Sequence, residues 1–166
     1  MEKELKNRLT SAFLSSPLVY IPHFHYNLLD EAIKDIVQPL NGFSDVNIGL
    51  NNVLEFDCGR HCIIDFVTKV VSDDYAGISD ITKLLKYYVS GEIGEPSILL
   101  IKNFNEQLLD VEVQSLLSSF ASLYEGGKID SLSTIVIMSP NPVSDIPLSL
   151  RNFFTVIEIL PPNIEE

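Results

Sequence analysis

Apolar residues along this chain fall into short blocks with two different periods. Leu5, Leu9, Ala12 and Phe13 recur at three- and four-residue spacing, which predicts an amphipathic helix over Glu2–Ser15, ended by Pro17. The run Pro17–Ile21 (PLVYI), closed by Pro22, predicts a short buried strand. Helical spacing returns at Leu28, Leu29, Ala32, Ile33, Ile36 and Val37, and places a second helix over about Asn27–Val37, stopped by Pro39 and Asn41-Gly42. Between Asn51 and Val71, β-branched and aromatic residues dominate: VLEFD, a Cys-Gly turn signal, then IIDFVTKVV. Two strands are expected there, with a hairpin around Gly59. Ile81, Leu84, Leu85 and Tyr88 mark a further helix, with Ser79 or Asp80 as its cap.

The last third is the most regular. Ser97–Lys102 (SILLIK) is a continuous buried strand, Glu106–Tyr124 a long helix ended by Gly126-Gly127, and Leu132–Met138 (LSTIVIM) another buried strand. Thr155–Ile159 (TVIEI) makes a last strand before Pro161-Pro162. Apolar strands alternating with helices imply an α/β fold whose mostly parallel sheet is covered on both faces, a three-layer sandwich.

Composition narrows the function. The 166 residues are 46% hydrophobic and 20% charged, a globular balance in a chain long enough to bury roughly two-thirds of its unfolded surface. A single domain over residues 1–166 is expected. The net charge of −12 opposes phosphate backbones and anionic lipid, so neither nucleic acid nor membrane is an expected partner. Lys3, Lys6 and Arg8 are interleaved with Glu2 and Glu4 and fit a solvated helix face. No apolar run approaches the ~20 residues of a membrane span, and the charged first ten residues do not fit a signal peptide. A cytoplasmic location is expected. Two cysteines, Cys58 and Cys62, fit a reducing compartment better than a disulfide scaffold.

Apolar strands at this spacing suit a P-loop NTPase core, which would carry GxxxxGK[ST] after its first strand. Glycine amides there cradle phosphate, the lysine neutralises charge and the hydroxyl holds magnesium. The loop instead reads PHFHYNLLDEA, with no Gly, Lys, Ser or Thr. A later strand should end in acids that hold magnesium. It ends as ILLIKNFNEQ, with Asn103 where the magnesium-binding Asp would fall. Glu106 is close by, but also fits a first-turn residue favoured by the helix dipole.

From about Ile98 to Glu166 the sequence resembles the last three strands of an AAA+ ATPase: SILLIKNFN, a long helix, then STIVIMSPNPVSDIPLSLRNFFTVIEILPPNIEE with a P-x-x-L-R turn before a strand ending LPP. It looks like the degenerate N-terminal half of some bacterial and plastid AAA+ proteins, in which an ATPase-like domain without a phosphate loop precedes a competent module. That resemblance implies a P-loop NTPase-like sheet of five strands in the order 5-1-4-3-2. It makes Asn103 a degenerate strand-end position, Asn141 a sensor-like residue and Arg151 a possible interface arginine. The family continues into a helical lid beyond this point, so a longer parent chain is expected, with the rest of that chain and neighbouring subunits as protein partners.

The expected role is therefore non-catalytic, in protein contact or assembly within a larger AAA+ ATPase, with no cofactor. The alternative is a nucleotide-dependent ATPase with an atypical or externally completed site. Ile146–Phe154, with Leu148, Leu150, Phe153 and Phe154 around Arg151, is the expected contact segment. Its phenylalanines could equally close the core, and Arg151 could be an ordinary surface residue. His23, His25, Cys58, His61 and Cys62 are ligand types that zinc accepts, but their spacing matches no structural zinc pattern. Arg60 and His61 could lower a nearby thiol pKa, yet no nucleophile–base–orienter set is visible in sequence.

Overall fold

A computed structural model describes residues 2–22, 26–37, 53–66, 69–71, 77–90, 98–129 and 133–158. Six strands form one sheet: β1 (Leu18–Ile21), β2 (Val53–Asp57), β3 (Cys62–Asp65), β4 (Ile98–Lys102), β5 (Thr134–Met138) and β6 (Phe154–Val156). The helices are α1 (Glu2–Ser15), α2 (Tyr26–Val37), α3 (Ile81–Ser90), α4 (Val111–Glu125) and the short α5 (Leu148–Arg151). The strand order is β3-β2-β4-β5-β1-β6. Every named pairing is parallel except β2 with β3.

The sheet has six strands where five in the order 5-1-4-3-2 were expected, and its order differs by the added β3 beside β2. The sixth member is β3, which follows β2 through a turn far too short for a parallel crossover and so returns antiparallel along its outer edge. Asp57 organises that turn. Its carbonyl accepts from Arg60 N at 3.2 Å and His61 N at 2.8 Å, and its Oδ1 accepts from Gly59 N at 2.8 Å. The left-handed residue of the turn is His61 (φ 55°), not Gly59.

The second strand of the hairpin is also shorter than the run IIDFVTKVV implied. The chain turns back after Phe66, with Lys69 N donating to Asp65 O at 2.8 Å and Asp65 N to Val70 O at 2.9 Å. Lys69 takes φ 61°, and Val71 bridges back antiparallel to Ile64. The expected helix Glu106–Tyr124 is likewise interrupted. A 3-10 turn at Glu106–Leu109 stops at Asp110, whose extended backbone lets its Oδ1 accept from Glu112 N and Val113 N and start α4. For α3 the cap is Asp80, which accepts from Lys83 N at 2.8 Å. The last strand begins at Phe154; Ile159 lies outside the described residues.

Alternation along the buried strands splits the core into two clusters. Val19, Ile21, Ile98, Leu100, Val136 and Met138 face α1 and α2, meeting Leu9, Phe13, Leu29, Ile33 and Ile36. Leu18, Tyr20, Leu99, Ile101, Ile135 and Ile137 face α3, α4 and α5, meeting Leu84, Leu85, Leu117, Phe120 and Leu150. Both faces are thus covered, which is why the strands are apolar throughout rather than alternating. At roughly 1.5–3 kcal/mol for each large side chain removed from water, these clusters dominate the stabilisation.

Candidate functional site at the carboxyl ends of the strands

In open parallel sheets, ligands bind outside the carboxyl ends of the strands. Here those ends carry two polar assemblies. On the α1/α2 face, Lys102 closes β4 among charged groups that the sheet and α2 bury together. Its Nζ lies 2.7 Å from Asp30 Oδ2 on α2 and 3.3 Å from Glu55 Oε1 on β2. The three side chains are 7%, 12% and 5% exposed, in that order. A fourth member, Lys69, reaches in from the turn after β3 to 2.9 Å from Asp30 Oδ2 and 2.7 Å from Glu55 Oε1. It stays 43% exposed, with its ammonium 4.4 Å from the Phe66 ring centroid.

Two carboxylates and two ammoniums balance to zero, which is the condition for burying them at all. For Lys69, burial pulls the pKa down most, but the hydrogen bonds and charges of Glu55 and Asp30 together outweigh it and hold the pKa above its ordinary value. One carboxylate oxygen, Asp30 Oδ1, is buried with no hydrogen-bond partner among the described residues.

The second assembly lies past the strand ends. Asn103, just after β4, takes φ 56° and donates through Nδ2 to Asp57 Oδ1 at 2.7 Å. Asparagine is among the few non-glycine residues that tolerate this region. Asn141 follows β5; its N donates to Ser139 Oγ at 3.1 Å and its Nδ2 to Asn105 O at 3.3 Å. The Asn141 carbonyl accepts from Tyr20 OH at 2.8 Å. Burial raises the Tyr20 pKa most; a hydrogen bond with Ser139 works against it and the Asp145 charge adds to it. Asn103 and Asn141 are thus tied into the loops that join β2, β4, β5 and β1.

Arg151, the last residue of α5, turns its guanidinium back on its own loop, donating to Ser144 O at 3.2 Å and Ile146 O at 2.8 Å. Within Ile146–Phe154, Ile146, Leu150 and Phe154 are buried in the α3/α4-side core. Leu148 is 77% exposed.

The sequence-level metal candidates do not assemble. His23 and His25 lie outside the described residues, and among the described residues no three His, Cys, Asp or Glu are grouped to hold a metal ion. Cys58 belongs to the apolar core, and burial, then the Asp57 charge, push its thiol up to about 12. It is the reverse of an activated nucleophile.

Sequence reasoning missed Asp30, Glu55, Lys69 and Lys102. Their signal was present as charge inside otherwise apolar runs: Glu55 within VLEFD, Lys102 closing SILLIK, Asp30 beside Leu29 on the buried stripe of α2. No family model matches the chain, and no curated protein matches it.

Proposed function

We propose that this chain is a non-catalytic AAA+-like domain, with a P-loop NTPase-like sheet, that acts by protein contact or assembly within a larger AAA+ ATPase. The observation that carries this reading is the buried Lys102 at the end of β4, paired with Asp30 and Glu55. ATP hydrolysis requires free carboxylates at such a strand end, to hold a magnesium ion whose charge balances the phosphates. Here an ammonium already occupies the carboxylates nearby, and Asn103 beside it is engaged by Asp57. The loop after β1 supplies no Gly, Lys, Ser or Thr for phosphate.

A domain without chemistry is useful through its surface, and Leu148, Leu109 and Val111 are large apolar side chains left mostly in water. Leu148 shares α5 with Arg151. The test is Leu148→Asp in the full-length ATPase, read by sedimentation for assembly and by ATP turnover. Loss of assembly and turnover, with this domain still folded by circular dichroism, supports the reading. Unchanged assembly and turnover for Leu148→Asp and for Arg151→Ala remove it.

A further inference from the structure

The passage from β4 into α4 leaves two large apolar side chains in water. Leu109, the last residue of the 3-10 turn, is 72% exposed, and Val111, the first residue of α4, is 74% exposed. Leu108 and Val113 beside them are buried in the α3/α4-side core and anchor the segment. Asp110, between the exposed pair, is extended (φ −77°, ψ 123°), and an extended residue sends the side chains before and after it to the same side. Leu109 and Val111 therefore make one apolar surface rather than two scattered residues. The backbone beneath is braced: Asp110 N donates to Gln107 O at 3.1 Å, Gln114 Nε2 to Leu108 O at 2.8 Å and Asn105 N to Gln107 Oε1 at 2.8 Å. A surface already held in place loses little freedom when a partner covers it.

Charge indicates the partner. From 103 to 127 the sequence holds Glu106, Asp110, Glu112 and Glu125 and no Lys, Arg or His. Glu106, Asp110 and Glu112 are exposed. The positive end of the α4 dipole accounts for acids here but not for the apolar pair among them. Lys86 of α3 reaches Glu112 at 3.3 Å, with both side chains more than half in solvent, so this pairing yields readily to another cation. A second copy of the chain would bring the same acids face to face, and its net charge of −12 adds to the repulsion.

We propose that Leu109 and Val111 dock a basic amphipathic segment of another protein, whose apolar side chains cover the pair while its Lys and Arg meet Glu106 and Glu112. This surface is separate from Leu148 and Arg151, at which the assembly reading is tested, so either can fail alone.

The probe is a fluorescent amphipathic peptide of Leu and Lys, with a Leu/Glu counterpart and polylysine of equal length as controls, all read by anisotropy at physiological salt. The wild-type chain should bind the Leu/Lys peptide saturably, polylysine more weakly and the Leu/Glu peptide not at all. Leu109→Ser combined with Val111→Ser should weaken binding by about tenfold or more, and Glu106→Lys should weaken it several-fold, with unfolding temperatures close to wild type because all three side chains are exposed. Should the double variant fail to fold, Leu109→Ser and Glu106→Lys alone carry the test. The proposal is overturned if the wild type does not bind the Leu/Lys peptide, if the serine variants bind it as the wild type does, or if polylysine or the Leu/Glu peptide binds as tightly. It is also overturned if the wild type sediments as a dimer that Leu109→Ser dissociates, since a second copy would then be the occupant.

Discussion

Lys102 Nζ lies 2.7 Å from Asp30 Oδ2, joining the end of β4 to the helix that follows β1. Breaking such a pair from one side strands the remaining charge in a low-dielectric site, a loss of about 3–5 kcal/mol. Lys102→Met should therefore lower stability by that order in urea unfolding. Lys69→Met, at a 43% exposed side chain, should cost only about 1 kcal/mol because solvent screens it. Equal effects at the two lysines would contradict the difference in burial.

Asn103 cannot be returned to the acid expected at its position without a penalty. Its Nδ2 donates to Asp57 Oδ1 at 2.7 Å, so Asn103→Asp would set two carboxylates against each other. The penalty should be largest at neutral pH, where both carboxylates are charged, at about 1 kcal/mol, and shrink at acid pH, where carboxyls are protonated. Urea unfolding of both proteins at acid and neutral pH measures it.

The two cysteines should separate cleanly toward alkylation. Cys62 is partly exposed and Cys58 is buried, with its thiol pushed up to about 12. Iodoacetamide at neutral pH should modify Cys62 in the folded chain and Cys58 only after denaturant, as read by peptide mass. Early labelling of Cys58 would mean that the turn after β2 opens readily.

Stability should fall on the alkaline side. The unfolded Cys58 thiol loses its proton near 9.0, whereas the folded thiol keeps it to about 12, so the folded state is progressively disfavoured across that window. Lys69 adds in the same direction. Its raised pKa gives a contribution that is complete below its ordinary value of 10.5 and is lost as pH rises through the folded value. Cys58→Ala should flatten the first part of this decline, measured as unfolding midpoint against pH.

The layout of helices and strands was legible because buried strands and amphipathic helices write their periods directly into the chain: ILLIK and TIVIM are buried at every position. What was not legible depended on single residues at turns. Asp110 breaks the expected long helix by capping α4 with its own side chain. Lys69 bends the run after β3 in a left-handed conformation that β-branched neighbours gave no hint of. The charged quartet escaped because its members are 14 to 72 positions apart, and only the stacking of α2 on β2 and β4 brings them together. Asn103 was singled out by its place at a strand end, Asn141 and Arg151 by resemblance; the asparagines bond to neighbouring loops and Arg151 to its own.

The claim that this fold persists without nucleotide chemistry is tested most directly by calorimetric titration of the chain with magnesium-ATP at millimolar concentration. The predicted result is no saturable heat, since Lys102 occupies Asp30 and Glu55 and the loop after β1 lacks the residues that cradle phosphate. Saturable, magnesium-dependent binding would contradict it and restore a nucleotide-dependent reading.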